Sequence, residues 1–131
     1  MKEALSRQEW VLMEALWQKG PLFLSQIMDA TTSAVDWNKS SYLTYLKRMA
    51  DKGLIGFTNI SGNRCYAPLV KRDDCIDSES SSILSKLTED STRLLLASMI
   101  KKSGLTDKER DDLLTLISEL GSGQEELPWV F

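Results

Sequence analysis

Histidine is absent from the 131 residues. Its absence excludes a Ser-His-Asp or Cys-His site, a zinc-protease helix and any imidazole metal ligand. Cysteine occurs twice, at Cys65 and Cys75, too few for a disulfide framework or a four-thiolate zinc site. No apolar run approaches the ~18 residues of a membrane span, so no membrane insertion is expected. The opening Met1-Lys2-Glu3-Ala4-Leu5-Ser6-Arg7 lacks the apolar core of a secretory signal, and a cytoplasmic protein is expected. The adjacent pairs Asp73-Asp74 and Asp111-Asp112 are poorly arranged for acid–base work, because helical neighbours point ~100° apart. They read as solvated carboxylates. We expect no catalytic group, no metal and no cofactor, and hence no enzyme.

What is present is the composition of a globular chain, 42% hydrophobic and 27% charged. At about 150 residues per domain, the length suits one domain or two small ones. The net charge of −3 hides a split. Residues 1–72 carry ten Lys/Arg against six Asp/Glu, a balance of +4. Residues 73–131 carry six against thirteen, a balance of −7. The basic part suits a polyanion and the acidic part does not. We take 1–72 as one domain and 73–131 as a second, ending in a short tail.

Ser6-Arg7-Gln8-Glu9 is a capping box, and behind it Trp10, Leu12, Met13, Leu16 and Trp17 share one helical face. Gly20-Pro21 stops that helix. Leu22-Phe23-Leu24 leads into a short helix around Ser25–Ala30. A third helix is predicted from Lys39 to Lys52, stopped by Gly53. Tyr42, Leu43, Tyr45, Leu46, Met49 and Ala50 fall on one arc; Ser40, Ser41, Thr44, Lys47, Arg48, Asp51 and Lys52 fall on the other. A β-hairpin follows: Leu54–Ile60, a Ser61-Gly62-Asn63 turn, then Arg64–Ala67, with Pro68 ending the pairing.

Residues 73–82 read as a hinge or weak helix start, with a helix over about Ile83–Leu87 or one that starts earlier. A helix from about Ser91 to Lys102 carries Leu94, Leu95, Leu96, Met99 and Ile100 in nearly every direction, so it must be covered on several sides. A second chain is the natural cover. Thr106-Asp107-Lys108-Glu109 is another capping box, opening a last helix with Leu113, Leu116, Ile117 and Leu120 on one face. Gly121-Ser122-Gly123 should end it. The tail's Trp129 and Phe131 either pack on a dimer or stay loose.

The expected fold is mainly α with a small β-hairpin: an N-terminal winged helix-turn-helix, then C-terminal dimerisation helices. In a winged helix the third helix enters the DNA major groove and the hairpin lies over the phosphates. The candidate DNA-binding residues are Lys39, Ser40, Ser41, Thr44, Lys47, Arg48 and, beside the wing turn, Arg64. The candidate dimer residues are Leu94, Leu95, Leu96, Met99, Ile100, Leu113, Leu116, Ile117 and Leu120. Cys65 reads as a small packed residue, and Cys75, in a polar stretch, as an exposed thiol without a basic neighbour to activate it.

The chain also resembles the penicillinase-repressor family over about residues 5–120. Glu9-Trp10-Val11-Leu12-Met13-Glu14-Ala15-Leu16-Trp17 is similar to that family's first-helix signature. Trp37, Thr44, Leu46, Arg48 and Lys52-Gly53-Leu54-Ile55 match its recognition-helix segment. Tyr66-Ala67-Pro68-Leu69-Val70 matches the end of its wing, and Leu105-Thr106-Asp107-Lys108-Glu109 the start of its last helix. The resemblance implies a cytoplasmic homodimeric repressor of palindromic double-stranded operators, with Ser41, Thr44 and Arg48 on the DNA. Position 43, often basic and DNA-facing in the family, is leucine here; Leu43 either meets a thymine methyl or joins the core. Copper-sensing members carry four C-terminal cysteines, and this chain has none after Cys75. In resistance-regulating members a protease cuts an Asn-Phe bond in the dimer helices. The matching Leu96-Ala97-Ser98-Met99 lacks that pair, so the inducer, protease or small ligand, stays open. Two other readings stand beside the repressor. One is a PadR-like regulator with a ligand pocket lined by residues 83–100. The other is a winged helix used for protein contacts, which would lack a continuous positive surface across Lys47, Arg48 and Arg64.

Overall fold

The computed structural model describes residues 5–123, the last three by their helical backbone alone. The tail with Trp129 and Phe131 lies outside the described residues. The chain divides into two compact units, Met1–Lys86 and Leu87–Phe131.

In the first unit, α1 (Arg7–Lys19) starts at the expected capping box. Ser6 Oγ accepts the Glu9 N–H at 3.2 Å, and Glu9 Oε1 accepts the Ser6 N–H at 2.9 Å. Next come β1 (Leu22–Phe23), α2 (Leu24–Thr31) and α3 (Lys39–Asp51). Gly53, at φ +82°, closes α3: its N–H donates to the Ala50 carbonyl and that of Leu54 to Met49, the two bonds of a Schellman stop.

The hairpin is β2 (Ile55–Ile60) and β3 (Asn63–Pro68). Its loop is the two residues Ser61 and Gly62, at φ +53° and +85°, the left-handed pair that a two-residue hairpin turn requires. Two details differ from expectation. Asn63 is the first residue of β3, and Pro68 still pairs with Ile55 at the sheet's end. The sheet is also three-stranded, in the order β1-β3-β2, because Leu22 and Phe23 pair antiparallel with Tyr66 and Cys65. Two residues are too few to show a strand period, so only the neighbouring strand makes them one.

The core gathers Leu12, Met13 and Leu16 of α1, Ile27 of α2, Leu46 and Met49 of α3, and Leu54 and Ile55 at the start of the hairpin, all fully buried. Trp17 ties α1 to the end of the wing, its indole N–H donating to the Val70 carbonyl at 2.9 Å. A half-buried ion pair joins α1 to the end of α3: Nζ of the exposed Lys52 meets Oε2 of the buried Glu9. Burial raises the Glu9 carboxyl, but the hydrogen bonds from Lys52 and Ser6 and the Lys52 charge outweigh it, leaving the carboxyl below the ordinary glutamate range. A carboxyl depressed on folding stabilises fully above its unfolded pKa, and that part fades as pH falls through the folded value. Lys52→Met is therefore expected to lower stability at neutral pH by about 1–3 kcal/mol. Urea denaturation of the variant should also show a shallower loss of stability on acidification than the parent does.

Of the two readings of 73–82, hinge or helix start, the structure takes the second: α4 (Arg72–Leu84) begins there, and the helix expected at 83–87 is its end followed by a turn. Asp73 and Asp74 in its first turn suit the positive end of the helix dipole. Its one buried residue, Cys75, joins the first unit's core. The expected domain boundary at 72/73 thus falls at the start of α4, whereas the compact units part after Lys86. Cys75 is buried where exposure was expected. Burial, and then the charge of Asp74, push its thiol up from the ordinary range, so it is a poor thiolate for redox chemistry.

The second unit holds α5 (Glu89–Lys102) and α6 (Asp107–Gly123). Thr88 caps α5, accepting the Ser91 N–H at 3.2 Å. Acids open α5 and Lys101 and Lys102 close it, in the sense its dipole favours. The Thr106–Glu109 capping box forms as expected, at 3.1 and 2.9 Å. Helix α6 runs on through Gly121–Gly123, where the sequence predicts a stop.

Candidate nucleic-acid interface

The outward face of α3 is set by what holds its inward face. Thr31 Oγ1 donates to the Ile27 carbonyl at 2.9 Å, so it accepts the buried Tyr42 hydroxyl and links α2 to α3. Trp37 packs edge-to-face on Tyr42 and Tyr45, at 5.1 and 4.8 Å between ring centres, fixing the entry into α3. Asn38 caps the helix, its Oδ1 accepting the Ser41 N–H at 2.8 Å. Sequence reasoning did not assign Asn38 this role, although an asparagine before a helical run is its signal.

On the opposite face Lys39, Ser40, Thr44, Lys47 and Arg48 are exposed, and Ser41 is half-buried beside the cap. They form two rows at i, i+4 spacing: Lys39, Leu43, Lys47 and Ser40, Thr44, Arg48. Thr44 Oγ1 donates its one proton to the Ser40 carbonyl at 3.0 Å. Its oxygen keeps lone pairs free to accept, which suit a base amino group. Lys47 pairs with Asp51 at 3.3 Å, both well exposed. Such a surface pair is worth no more than about 1 kcal/mol, so Lys47 can exchange it for a phosphate. Lys52 leaves the polar arc to meet Glu9. Leu43 is not core: it is 43% exposed, in the row between two lysines.

Arg64 lies on β3, its guanidinium over the Phe57 ring at 4.2 Å. An open groove of about 730 Å³ runs between the wing and the helices. Ser25 and Gln26 of α2 line it, with Lys39 and Leu43 of α3 and Ile60 to Arg64 of the wing. The groove brings Lys39 and Arg64 to one concave surface, while Thr44, Lys47 and Arg48 continue along α3. Among the described residues no carboxylate stands within ion-pair distance of Lys39, Arg48 or Arg64. Cations free of carboxylate partners, set beside hydroxyls on an exposed helix face, are what phosphates and base edges require.

In the second unit Leu94, Leu96, Met99 and Ile100 of α5 and Leu116 and Ile117 of α6 are exposed, Leu94 by 71%. Leu95, Leu113 and Leu120 are half-buried. Helix α5 has no buried residue. Among the described residues no group of three or more cysteines or carboxylates is placed to hold a metal ion. No helix of the described residues is long and apolar enough to cross a membrane.

Comparison with known proteins adds a second line. The chain is similar to the methicillin resistance regulatory protein MecI of Staphylococcus aureus strain N315, with 22% identity over 115 residues, 88% of this chain and 94% of that protein. The same figures hold for MecI of Staphylococcus epidermidis. Among solved structures, Bordetella bronchiseptica BpsR, whose DNA binding is regulated by 6-hydroxynicotinic acid, aligns at a TM-score of 0.46 and 14% identity, over 88% of this chain and 74% of that one. The profile of the penicillinase repressor family matches residues 5–119, from the first core leucine to within α6. With that match running through both units, the chain belongs to the penicillinase-repressor family of transcriptional regulators.

Proposed function

We propose that the chain is a DNA-binding transcriptional repressor that acts as a homodimer on a palindromic double-stranded operator in the cytoplasm. The observation that carries the reading is the exposed face of α3, with the wing groove beside it. There Lys39, Arg48 and Arg64 have no carboxylate partner among the described residues. Helix α3 is to lie in the major groove, with Ser41, Thr44 and Arg48 toward the bases and Lys39, Ser40, Lys47 and Arg64 toward phosphates. The dimer reading rests on the second unit. Its two helices leave leucine, isoleucine and methionine in water, and about 25 cal/mol per Å² of apolar surface favours covering them. A second copy of the chain is a partner present wherever the chain is. Two linked half-sites gain affinity over one, so weakening the dimer would release the operator. The PadR-like reading asks for a pocket among residues 83–100. The groove beside α3 and a second cavity at the start of α4 are lined by residues 5–78.

A salt series tests the phosphate role. Binding of a duplex enriched by the protein from a random pool should weaken steeply with rising salt. Arg64→Ala should lower affinity evenly across sequences and flatten the logarithmic salt slope by about 1. An unchanged slope removes Arg64 from the interface.

A further inference from the structure

Leu43 is the one large apolar side chain on the exposed face of α3, and it lines the groove with Lys39 and Arg64. Its 43% exposure is unexplained by the protein's own packing: Leu46 and Met49, further round the inward arc of the same helix, are fully buried, and Leu43, at the edge of that arc, is outside that core. Lys39 and Lys47 flank it at one helical turn on either side, so any polyanion they hold brings its own surface against the leucine. In a DNA major groove the apolar feature on a base edge is the C5-methyl of thymine. Thr44, the next residue, is exposed, and with its proton given to the Ser40 carbonyl its oxygen keeps a lone pair free to accept. The lone pair suits the amino group of adenine or cytosine.

From this juxtaposition we propose that Leu43 is a specificity-determining residue that reads a thymine methyl in each operator half-site. The inference rests on the DNA-binding reading above and adds the base feature recognised. Burying one methyl group against Leu43 sets the size of the effect, about four-fold in affinity. Because Leu43 is exposed and outside the core, its replacement leaves the first unit's packing intact.

The test uses the intact protein and duplexes it enriches from a random pool. Each thymine is replaced in turn by deoxyuridine, which removes the methyl and leaves the pairing unchanged, and affinity is measured for the parent, Leu43→Ala and Leu43→Met. One thymine per half-site should lose about four-fold with the parent and with Leu43→Met, and nothing with Leu43→Ala. Other methyl effects should be the same in all three proteins. Equal thermal midpoints show that the variants are folded. If Leu43→Ala keeps every methyl effect of the parent, Leu43 reads no thymine, although the DNA-binding reading stands. If the parent enriches no sequence from the pool, the DNA-binding reading fails and takes this inference with it.

Discussion

Replacing Leu94 and Met99 together by glutamate is expected to yield a folded protein that sediments as a monomer. Its affinity for a two-half-site operator should fall by at least about 100-fold, the low end of the gain from linking two sites. The two positions are chosen by exposure. Leu94 is 71% exposed and Met99 47%, so a glutamate at either meets water in the single chain and leaves its fold intact. In a dimer each would be an unpaired charge taken out of water, a loss of about 3–5 kcal/mol. Leu95 is half-buried, and a charge there would confuse loss of the dimer with loss of the unit's own packing. Binding to an isolated half-site should change little. Sedimentation of the variant as a dimer would place the contact between copies elsewhere.

Arg48→Ala should weaken binding to the enriched operator by about 1–3 kcal/mol, roughly five- to 150-fold, if the side chain reaches a base. Its guanidinium stands 5.7 Å from the Tyr45 ring and has no ion-pair partner among the described residues, so thermal stability should stay near that of the parent. Arg48→Lys separates the two modes of contact. A lysine still neutralises a phosphate but lacks the planar fork that grips guanine with two bonds. Loss in both variants, with relaxed selectivity at one base pair, is the outcome expected of a base contact. Full retention of affinity in Arg48→Ala would take this residue out of the interface.

What could be read from the sequence were features whose cause is local. The Ser6–Glu9 and Thr106–Glu109 boxes each span four residues, and both form. The Gly53 stop and Gly62 in the hairpin turn follow from the backbone preference of glycine. The polar arc of α3 was legible because a 3.6 period separates it from Tyr42, Leu46 and Met49. What escaped depends on distant partners. The strand at Leu22 and Phe23 exists through Tyr66 and Cys65. Lys52 falls on the polar arc of α3 in the sequence, but Glu9, 43 positions away, claims it. Helix α4 stayed ambiguous because residues 73–82 have almost no apolar period, and the one residue that anchors it, Cys75, sits among polar neighbours. Leu43 was ambiguous for a related reason: its angle on the helix borders both arcs, and only the surrounding elements decide that it faces the groove.

The central claim is that α3, with the wing beside it, is the surface that meets DNA. Lysine acetylation with and without the enriched duplex tests it most directly, because the exposed lysines fall in both units. Lys39 and Lys47 of α3 should be shielded by the duplex, while Lys102 and Lys108 of the second unit should react at the same rate in its presence and absence. Unchanged labelling of Lys39 and Lys47 in the bound state, or shielding confined to Lys102 and Lys108, would contradict it.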